Sequence, residues 1–146
     1  MKTSQDIQRL IDGGEGQTVE FKASFNKEAV ETVVAFANTN GGVVLVGVSD
    51  KGQVNGVALG KETLTEWLGH IKTSTSPTVI PDIYTVSINQ KEIVVVAVSE
   101  YPIKPVNSRG KYFQRKSASN HQLLLSEITN VYMQTYNFSW DSYEAP

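Results

Sequence analysis

The sequence feature that most constrains the fold is the apolar run over residues 43–48, in which Gly47 alone lacks an apolar side chain. Turn-forming residues bound the run on both sides, since Gly41-Gly42 precedes it and Asp50-Lys51-Gly52 follows it. A continuous apolar segment of this length between turn signals is typical of a strand that is covered on both faces. The run therefore predicts a buried strand inside a globular domain.

The residues around this strand predict further helices and strands. Asn26 is a predicted N-cap, and it precedes a helical stripe of apolar residues at Val30, Val33, Val34 and Ala37. Similar patterns predict helices near 4–12, 64–71 and 126–132, capped at the first and last by Ser4 and Ser126, and strands at 18–22, 53–57, 83–88, 93–98 and 111–115. Because hairpins outnumber β-α-β units in this order, we predict an α+β fold, a two-layer sandwich with a mixed, mostly antiparallel sheet and helices packed on one side of it.

The length of 146 residues suits one domain, which we place at residues 1–134. Residues 135–146 are predicted to form a C-terminal extension rich in aromatic residues: Tyr136, Phe138, Trp140 and Tyr143. The extension is interpreted either as a segment that packs on the core or as the start of a further segment that is truncated here.

The composition excludes several classes of protein. The chain has no cysteine, which excludes disulfides, thiolate metal sites and cysteine nucleophiles. It has no apolar run near the roughly 20 residues that a membrane span needs, and its N-terminus lacks a signal-peptide pattern. We therefore expect a cytoplasmic protein that does not contact a membrane.

A basic segment runs against the slightly acidic total charge of -2. Five cations lie within thirteen residues, with only neutral residues between them: Lys104, Arg109, Lys111, Arg115 and Lys116. Such a segment is able to bind phosphates even when the net charge of the protein is unfavourable. We predict that Arg109, Lys111, Arg115 and Lys116 contact nucleic acid, with Phe113 on the same face or Tyr112 in its place for base stacking. The alternative is an edge strand that lysines protect against aggregation.

Three motifs, in order along the chain, resemble those of one known family. They are the segment GEGQTVEFK at 14–22, the segment AFANTNGG at 35–42 with its continuation through the Asp50-Lys51-Gly52 turn, and KYFQR at 111–115. Together they resemble the Schlafen AlbA_2 family, formerly labelled divergent AAA-4, over roughly residues 10–131. The resemblance implies a nucleic-acid-binding domain, DNA or RNA, of the kind described in transcriptional regulators and helicase-related proteins.

The same resemblance implies an alternative activity. Animal Schlafen relatives include RNA endonucleases that use three carboxylates and a divalent metal, and the matching positions here are Glu15, Glu20 and Asp50. Mg²⁺ or Mn²⁺ prefers such oxygen ligands, and Lys22, two residues from Glu20 on a predicted strand, would assist by offsetting phosphate charge. A metal is required only if this alternative holds. If the chain has no nuclease activity, Glu15 is interpreted as a solvated loop residue, Glu20 as part of a cross-strand row of charges, and Asp50 as a turn residue.

Other chemistry finds little support. The segment GVALGKE at 56–62 misses the phosphate-loop spacing by one residue and has Glu where Ser or Thr should hold Mg²⁺, so no ATP site is expected. His70 and His121 lack partners at metal-binding spacing and are interpreted as structural or solvated. Nucleic-acid binding itself requires no cofactor.

A third hypothesis, beside nucleic-acid binding and the nuclease, is a protein-interaction or oligomerisation domain. A homo-oligomer is compatible with all three hypotheses.

Overall fold

A computed structural model describes the backbone of residues 1–141 and the side chains as far as Tyr136. Its helices are α1 (Ser4–Gly13), α2 (Lys27–Ala37), α3 (Thr63–Ser74) and α4 (Leu125–Asp141). Its strands are β1 (Val19–Lys22), β2 (Gly42–Val46), β3 (Thr75–Ser76), β4 (Asp82–Ile88), β5 (Lys91–Val98), β6 (Asn107–Ser108), β7 (Lys111–Lys116) and β8 (Ser119–Gln122). None of the helices in the described part of the chain combines the length and apolarity that crossing a membrane requires.

The apolar run forms β2, an inner strand of the first sheet. This sheet has the order β1-β2-β5-β4, in which β1 and β2 are parallel and the other neighbours are antiparallel. Val44 and Val46 pack in the core against α2, whereas Val43 and Leu45 pack in a second core with Ile7 of α1. The prediction of a strand covered on both faces is confirmed. The prediction of helices on one side only was wrong, because α1 covers the face opposite α2.

The second sheet lies on the other side of α2. It has the order β3-β6-β7-β8, and all its pairs are antiparallel. Val106 and Phe113 belong to the same buried cluster as the apolar stripe of α2, so this helix lies between the two sheets. The α+β class with a mixed, mostly antiparallel sheet is confirmed, with a second sheet in addition to the predicted one.

Three local predictions were wrong. The segment at 53–57 forms no strand but only an isolated bridge between Val48 and Val54, because both edges of β2 are already occupied by β1 and β5. The N-cap of α1 is Thr3 instead of Ser4, and it exchanges hydrogen bonds with Asp6 in a capping box. Helix α4 begins at Leu125, so Ser126 lies within its first turn.

Helix α4 is continuous past residue 134, where the end of the domain was predicted, and extends to Asp141. Residues 142–146, with Tyr143, and the side chains of Phe138 and Trp140 lie outside the described part of the chain. The placement of the C-terminal extension on the core or away from it therefore stays a prediction.

Candidate functional site

The cations of the basic segment differ in exposure along β7. Phe113 and Arg115 are 5% and 2% exposed, whereas Lys111 and Lys116 at the two ends of the strand are exposed. Phe113 and Arg115 do share a face, as predicted, but that face packs on α2. Of the predicted nucleic-acid contacts, Arg109, Lys111 and Lys116 are at the surface.

Arg115 uses all five of its N–H donors within the protein. Its Nε and Nη2 donate to the carbonyl oxygen of Gly16 at 3.1 and 2.9 Å, and Nη2 also donates to the carbonyl oxygen of Val19 at 3.1 Å. Nη1 donates to Glu20 Oε1 at 2.7 Å and to Asn120 Oδ1 at 2.8 Å. A guanidinium that donates five hydrogen bonds has no donor left for a phosphate. Arg115 therefore acts as a clamp that joins β7, β8 and the entry to β1.

The buried ring of Phe36 completes the surroundings of this clamp. The guanidinium carbon of Arg115 lies 5.0 Å from the centre of the ring, which is cation–π geometry. The backbone N–H of Arg115 donates to the Thr39 hydroxyl at 2.9 Å, and its carbonyl accepts from the side-chain amide of Gln17 at 3.1 Å. The backbone and the side chain of Arg115 are thus both fixed by residues of the first two sequence motifs.

Asn38, at the end of α2, makes a second link between the helix and the second sheet. Its side-chain amide donates to the carbonyl oxygens of Val106 and Phe113, each at 2.8 Å, and its Oδ1 accepts from the N–H of Val106 at 2.7 Å. The following Gly41 has a φ of 73° and lies so close to Val98 that a Cβ would be 2.7 Å from its carbonyl oxygen. The segment at 35–42 therefore has a structural role: Asn38 links α2 to the second sheet, and Gly41 permits the close turn into β2.

The three predicted catalytic carboxylates approach one another but differ in exposure. Glu20 is buried and paired with Arg115, Glu15 is half-buried, and Asp50 is exposed in the turn after β2. Partial burial, followed by a hydrogen bond to Glu20 and the charges of Glu20 and Asp50, together raise the pKa of Glu15 from 4.5 to about 7. Near neutral pH, a protonated Glu15 donates its proton towards Glu20.

These carboxylates do not form a ready divalent-metal site. Among the described residues, no group of three histidine or carboxylate side chains is placed so that it could hold an ion. Glu20 Oε1 is already used by Arg115, and a metal would have to compete for it. Lys22 shares the strand with Glu20, but its Nζ lies 3.5 Å from a carboxylate oxygen of Glu28 on α2. The residues thus do not fit the metal in this arrangement, and their role in catalysis stays a prediction.

A groove opens at the opposite end of β7, between the β6–β7 turn, the first turn of α2 and the end of α3. Its volume is about 420 Å³. Its lining includes three cations, one carboxylate, an imidazole and a hydroxyl, from Lys27, Arg109, Lys111, Glu31, His70 and Ser108. Within the described residues, none of the three cations lies within ion-pair distance of a carboxylate. The groove therefore presents positive charge that the described side chains leave unneutralised.

The β6–β7 turn holds Arg109 at the edge of this groove. Arg109 and Gly110 have φ values of 51° and 83°, as a two-residue turn between antiparallel strands requires. The side-chain oxygen of Asn107 accepts from the N–H of Gly110 at 3.0 Å and fixes the turn. Because Arg109 follows β6 directly and Lys111 begins β7, the turn brings both cations to one end of the second sheet.

Lys116 lies at the other end of β7, about 16 Å away by the rise of an extended strand. It is near Glu127 in α4, whose pKa is lowered by the N–H of Leu124, by His121 and, more weakly, by Lys116. Lys116 therefore belongs to a different surface from Arg109 and Lys111, and the five cations of the basic segment do not form one patch.

Three charged or aromatic residues of the groove were not predicted from the sequence. Lys27 is an isolated lysine after a cap residue, Glu31 is a polar position of α2, and His70 was interpreted as structural or solvated. The 3.6-residue period places Lys27 and Glu31 on one face of α2, four residues apart, which is a signal that the sequence contains. No signal in the sequence relates either residue to the β6–β7 turn, which is about 80 residues later.

Comparison with known proteins agrees with the motifs. The family model described as "Schlafen, AlbA_2" matches residues 15–124, which is most of the chain. The chain belongs to the Schlafen AlbA_2 family. No curated protein matches it significantly.

Two solved structures share the fold of this Schlafen AlbA_2 domain. The N-terminal domain of a RecG-related protein from Nitrosomonas europaea, provisionally described as an ATP-dependent DNA helicase, has 22% identity and a TM-score of 0.61, over 86% of this chain and 95% of that one. The DIP2311 protein from Corynebacterium diphtheriae has 23% identity and a TM-score of 0.59, over 73% of this chain. The match spans 25% of the DIP2311 protein.

Proposed function

We propose that this domain binds nucleic acid and that Lys27, Arg109 and Lys111 contact its phosphates. The observation that carries the proposal is the concentration of these three cations on one groove, without ion pairs among the described residues. Unpaired cations can replace the counterions that are condensed on a nucleic acid, and the release of those counterions favours binding. The planar fork of Arg109 is also suited to a phosphate group, because it donates two parallel hydrogen bonds.

The slightly acidic total charge does not contradict this proposal, because binding depends on the local field. The acidic cluster of Glu15, Glu20 and Asp50 is near Arg115, at the other end of β7 from the groove. Glu31 is a carboxylate within the groove, and it reduces the side-chain charge of the lining without cancelling it. The expected result is binding of moderate strength that falls steeply with salt.

The family and the RecG-related neighbour support nucleic acid as the partner class. We propose in addition that the domain serves as the nucleic-acid-contacting part of a transcriptional regulator. The support for this narrower role is the description of bacterial and archaeal members of the family as regulators. It is tested separately, by asking whether loss of the groove cations changes transcript levels in cells.

The binding proposal is tested by fluorescence anisotropy with labelled DNA and RNA at about 50 and 200 mM salt, in the presence of EDTA. The double variant Arg109→Gln, Lys111→Gln should weaken binding about tenfold, or roughly 1.4 kcal/mol, because it removes two phosphate contacts. It should also reduce the slope of log Kobs against log salt by about 1.4 to 1.8, since each contact contributes about 0.7 to 0.9.

The matched control is the double variant Lys61→Gln, Lys91→Gln. It removes the same charge from exposed positions that do not line the groove, and it should leave the affinity nearly unchanged. Equal losses in the two double variants would mean that only the net charge matters and would contradict a groove. If no probe binds, the result would favour a protein-interaction domain instead. Helix α4 exposes apolar side chains that could contact a partner, since Leu125, Met133 and Tyr136 are 79%, 48% and 54% exposed.

One observation favours the nuclease alternative. Beside burial, the charges of Glu20 and Asp50 raise the pKa of Glu15, so the three carboxylates lie within electrostatic range of one another, although a divalent cation would have to displace Arg115 from Glu20. The same samples incubated with Mn²⁺ and examined on a gel test this alternative. A metal-dependent ladder that disappears in Glu20→Gln would establish cleavage, whereas intact probes would leave a domain that only binds.

A further inference from the structure

Helix α3 contributes one aromatic ring, His70, to the lining of the groove. His70 lines the groove and is exposed. The ring of Phe25, in the segment before α2, meets the His70 ring edge to face, with 6.0 Å between centres and an interplanar angle of 83°. Trp67, one turn before His70 in α3, stacks on Phe25 with 4.7 Å between centres and an angle of 12°. His70 thus packs on Phe25, which in turn packs on Trp67.

The size of the groove restricts what can enter it. A volume of about 420 Å³ lies in the lower part of the range for sites that hold small molecules, roughly 300–1,000 Å³. A double helix keeps its bases stacked and paired inside the duplex, so it can offer only its backbone to a cavity of this size. An unpaired nucleotide is able to place its base inside, and aromatic rings are the usual partners of unpaired bases.

We propose that the groove binds single-stranded nucleic acid, with one unpaired base stacked on His70 and the adjacent phosphates held by Lys27, Arg109 and Lys111. This inference rests on the proposed function and names its substrate class. Both kinds of contact line the same groove, because His70 lies on α3 and Arg109 and Lys111 lie at the β6–β7 turn. Since every base has a ring face, the stacking selects strandedness and tolerates sequence.

His70→Ala and His70→Phe separate stacking from charge. His70→Phe keeps an aromatic ring at this position without a titratable group, so it retains stacking and removes any charge. The probes are a single-stranded oligonucleotide and a hairpin duplex with the same number of phosphates. His70→Ala should weaken single-strand binding about tenfold, as expected for the loss of one stacked base, and His70→Phe should restore it. Duplex binding should change little in either variant.

The control on the same helix is Thr65→Ala, an exposed position of α3 outside the groove lining, which should bind like the unchanged protein. Melting curves of all three variants check that the fold is retained. Equal affinity for both probes, or single-strand binding that His70→Ala leaves intact, would overturn the inference while leaving nucleic-acid binding in place. Failure of both probes to bind would instead remove the proposed function, and the inference with it.

Discussion

The two ends of β7 place neighbouring cations in opposite environments. Arg115 is buried, donates five hydrogen bonds from its guanidinium and is ion-paired to Glu20, whereas Lys111 is exposed at the edge of a groove and has no ion pair among the described residues. They lie four positions apart, on the same face of the strand by alternation. The difference arises because α2 and the entry to β1 cover one end of the strand, while the other end continues into an open turn.

Cations that are close together in the sequence can therefore have different roles, one in the fold and another in binding. The effect of a mutation depends on which of the two roles is lost. A loss of binding after replacement of Arg115 would reflect a damaged fold, since its guanidinium has no free donor. A loss of binding after replacement of Arg109 or Lys111 would reflect a lost contact.

Replacing Arg115 should be the most damaging single change in the basic segment. Arg115→Ala leaves Glu20 as a buried, uncompensated carboxylate and removes the donors to Gly16 and Val19, so we expect a loss of roughly 3–5 kcal/mol in the free energy of unfolding. Arg115→Lys should restore little, because an ammonium group lacks the fork that reaches all four acceptors. Urea unfolding followed by circular dichroism measures both variants.

The control for this prediction is Arg109→Ala at the open end of the hairpin, where a surface substitution should change stability by no more than about 0.5 kcal/mol. If Arg115→Ala were as stable as Arg109→Ala, the distinction between a buried clamp and an open groove would be wrong.

Glu15 should make the buried end sensitive to pH. Because the pKa of Glu15 is raised from 4.5 to about 7 in the folded protein, the stabilising contribution of its protonated form is complete below about pH 4.5 and is lost as the pH rises through about 7. Glu15→Gln mimics the protonated group. We expect it to be more stable than the unchanged protein at pH 8, by about 1 kcal/mol after allowance for solvent screening, and equally stable at pH 4.

Glu127 provides a comparison of opposite sign, because its pKa is lowered by the N–H of Leu124 and by His121. Its contribution to stability is present above its ordinary pKa and is lost as the pH falls. Compared with the unchanged protein at pH 8, Glu15→Gln should therefore have a higher unfolding midpoint and Glu127→Gln a lower one, and both differences should disappear at low pH, where both carboxyls are protonated. A Glu15→Gln curve parallel to that of the unchanged protein would show that Glu15 ionises normally.

The smallest effect is expected at the open end, from Glu31. Glu31→Gln removes the carboxylate from the groove lining and should strengthen binding to either probe by about two- to threefold, roughly 0.5 kcal/mol, in the manner of a weakly screened surface charge. Glu28→Gln is a matched control one turn earlier, since Glu28 is paired with Lys22 and does not line the groove. Anisotropy at low salt resolves the difference, which should shrink as salt is added.

The sequence predicted local features well where short-range physics decides them. The buried strand at β2, the hairpin of β4 and β5, the Asn26 cap and the α2 stripe all followed from periodicity and capping, and each is confirmed. Errors arose where pairing depends on distant partners. Nothing at 53–57 indicates that β1 and β5 already occupy both edges of β2, so the expected hairpin could not be rejected from the sequence.

The candidate site was predicted in part for the same reason. Arg109 and Lys111 were identified because charge density is a local property, and the alternation along β7 correctly placed Phe113 and Arg115 together. The direction of that common face was left open, since a period of two does not say which side is the interior. Lys27, Glu31 and His70 were missed because they meet the β6–β7 turn only through the packing of α2 and α3 on the second sheet.

By itself, the sequence determined the family, the α+β class, the buried central strand and the positions of the cations, because motifs, hydrophobic period and charge are properties of neighbouring residues. Only the tertiary structure decided which cations are structural and which are available. Burial of a charge depends on partners that are close in space and far apart in the chain, such as Glu20 and Arg115 at one end of β7 and Lys27 and Lys111 at the other.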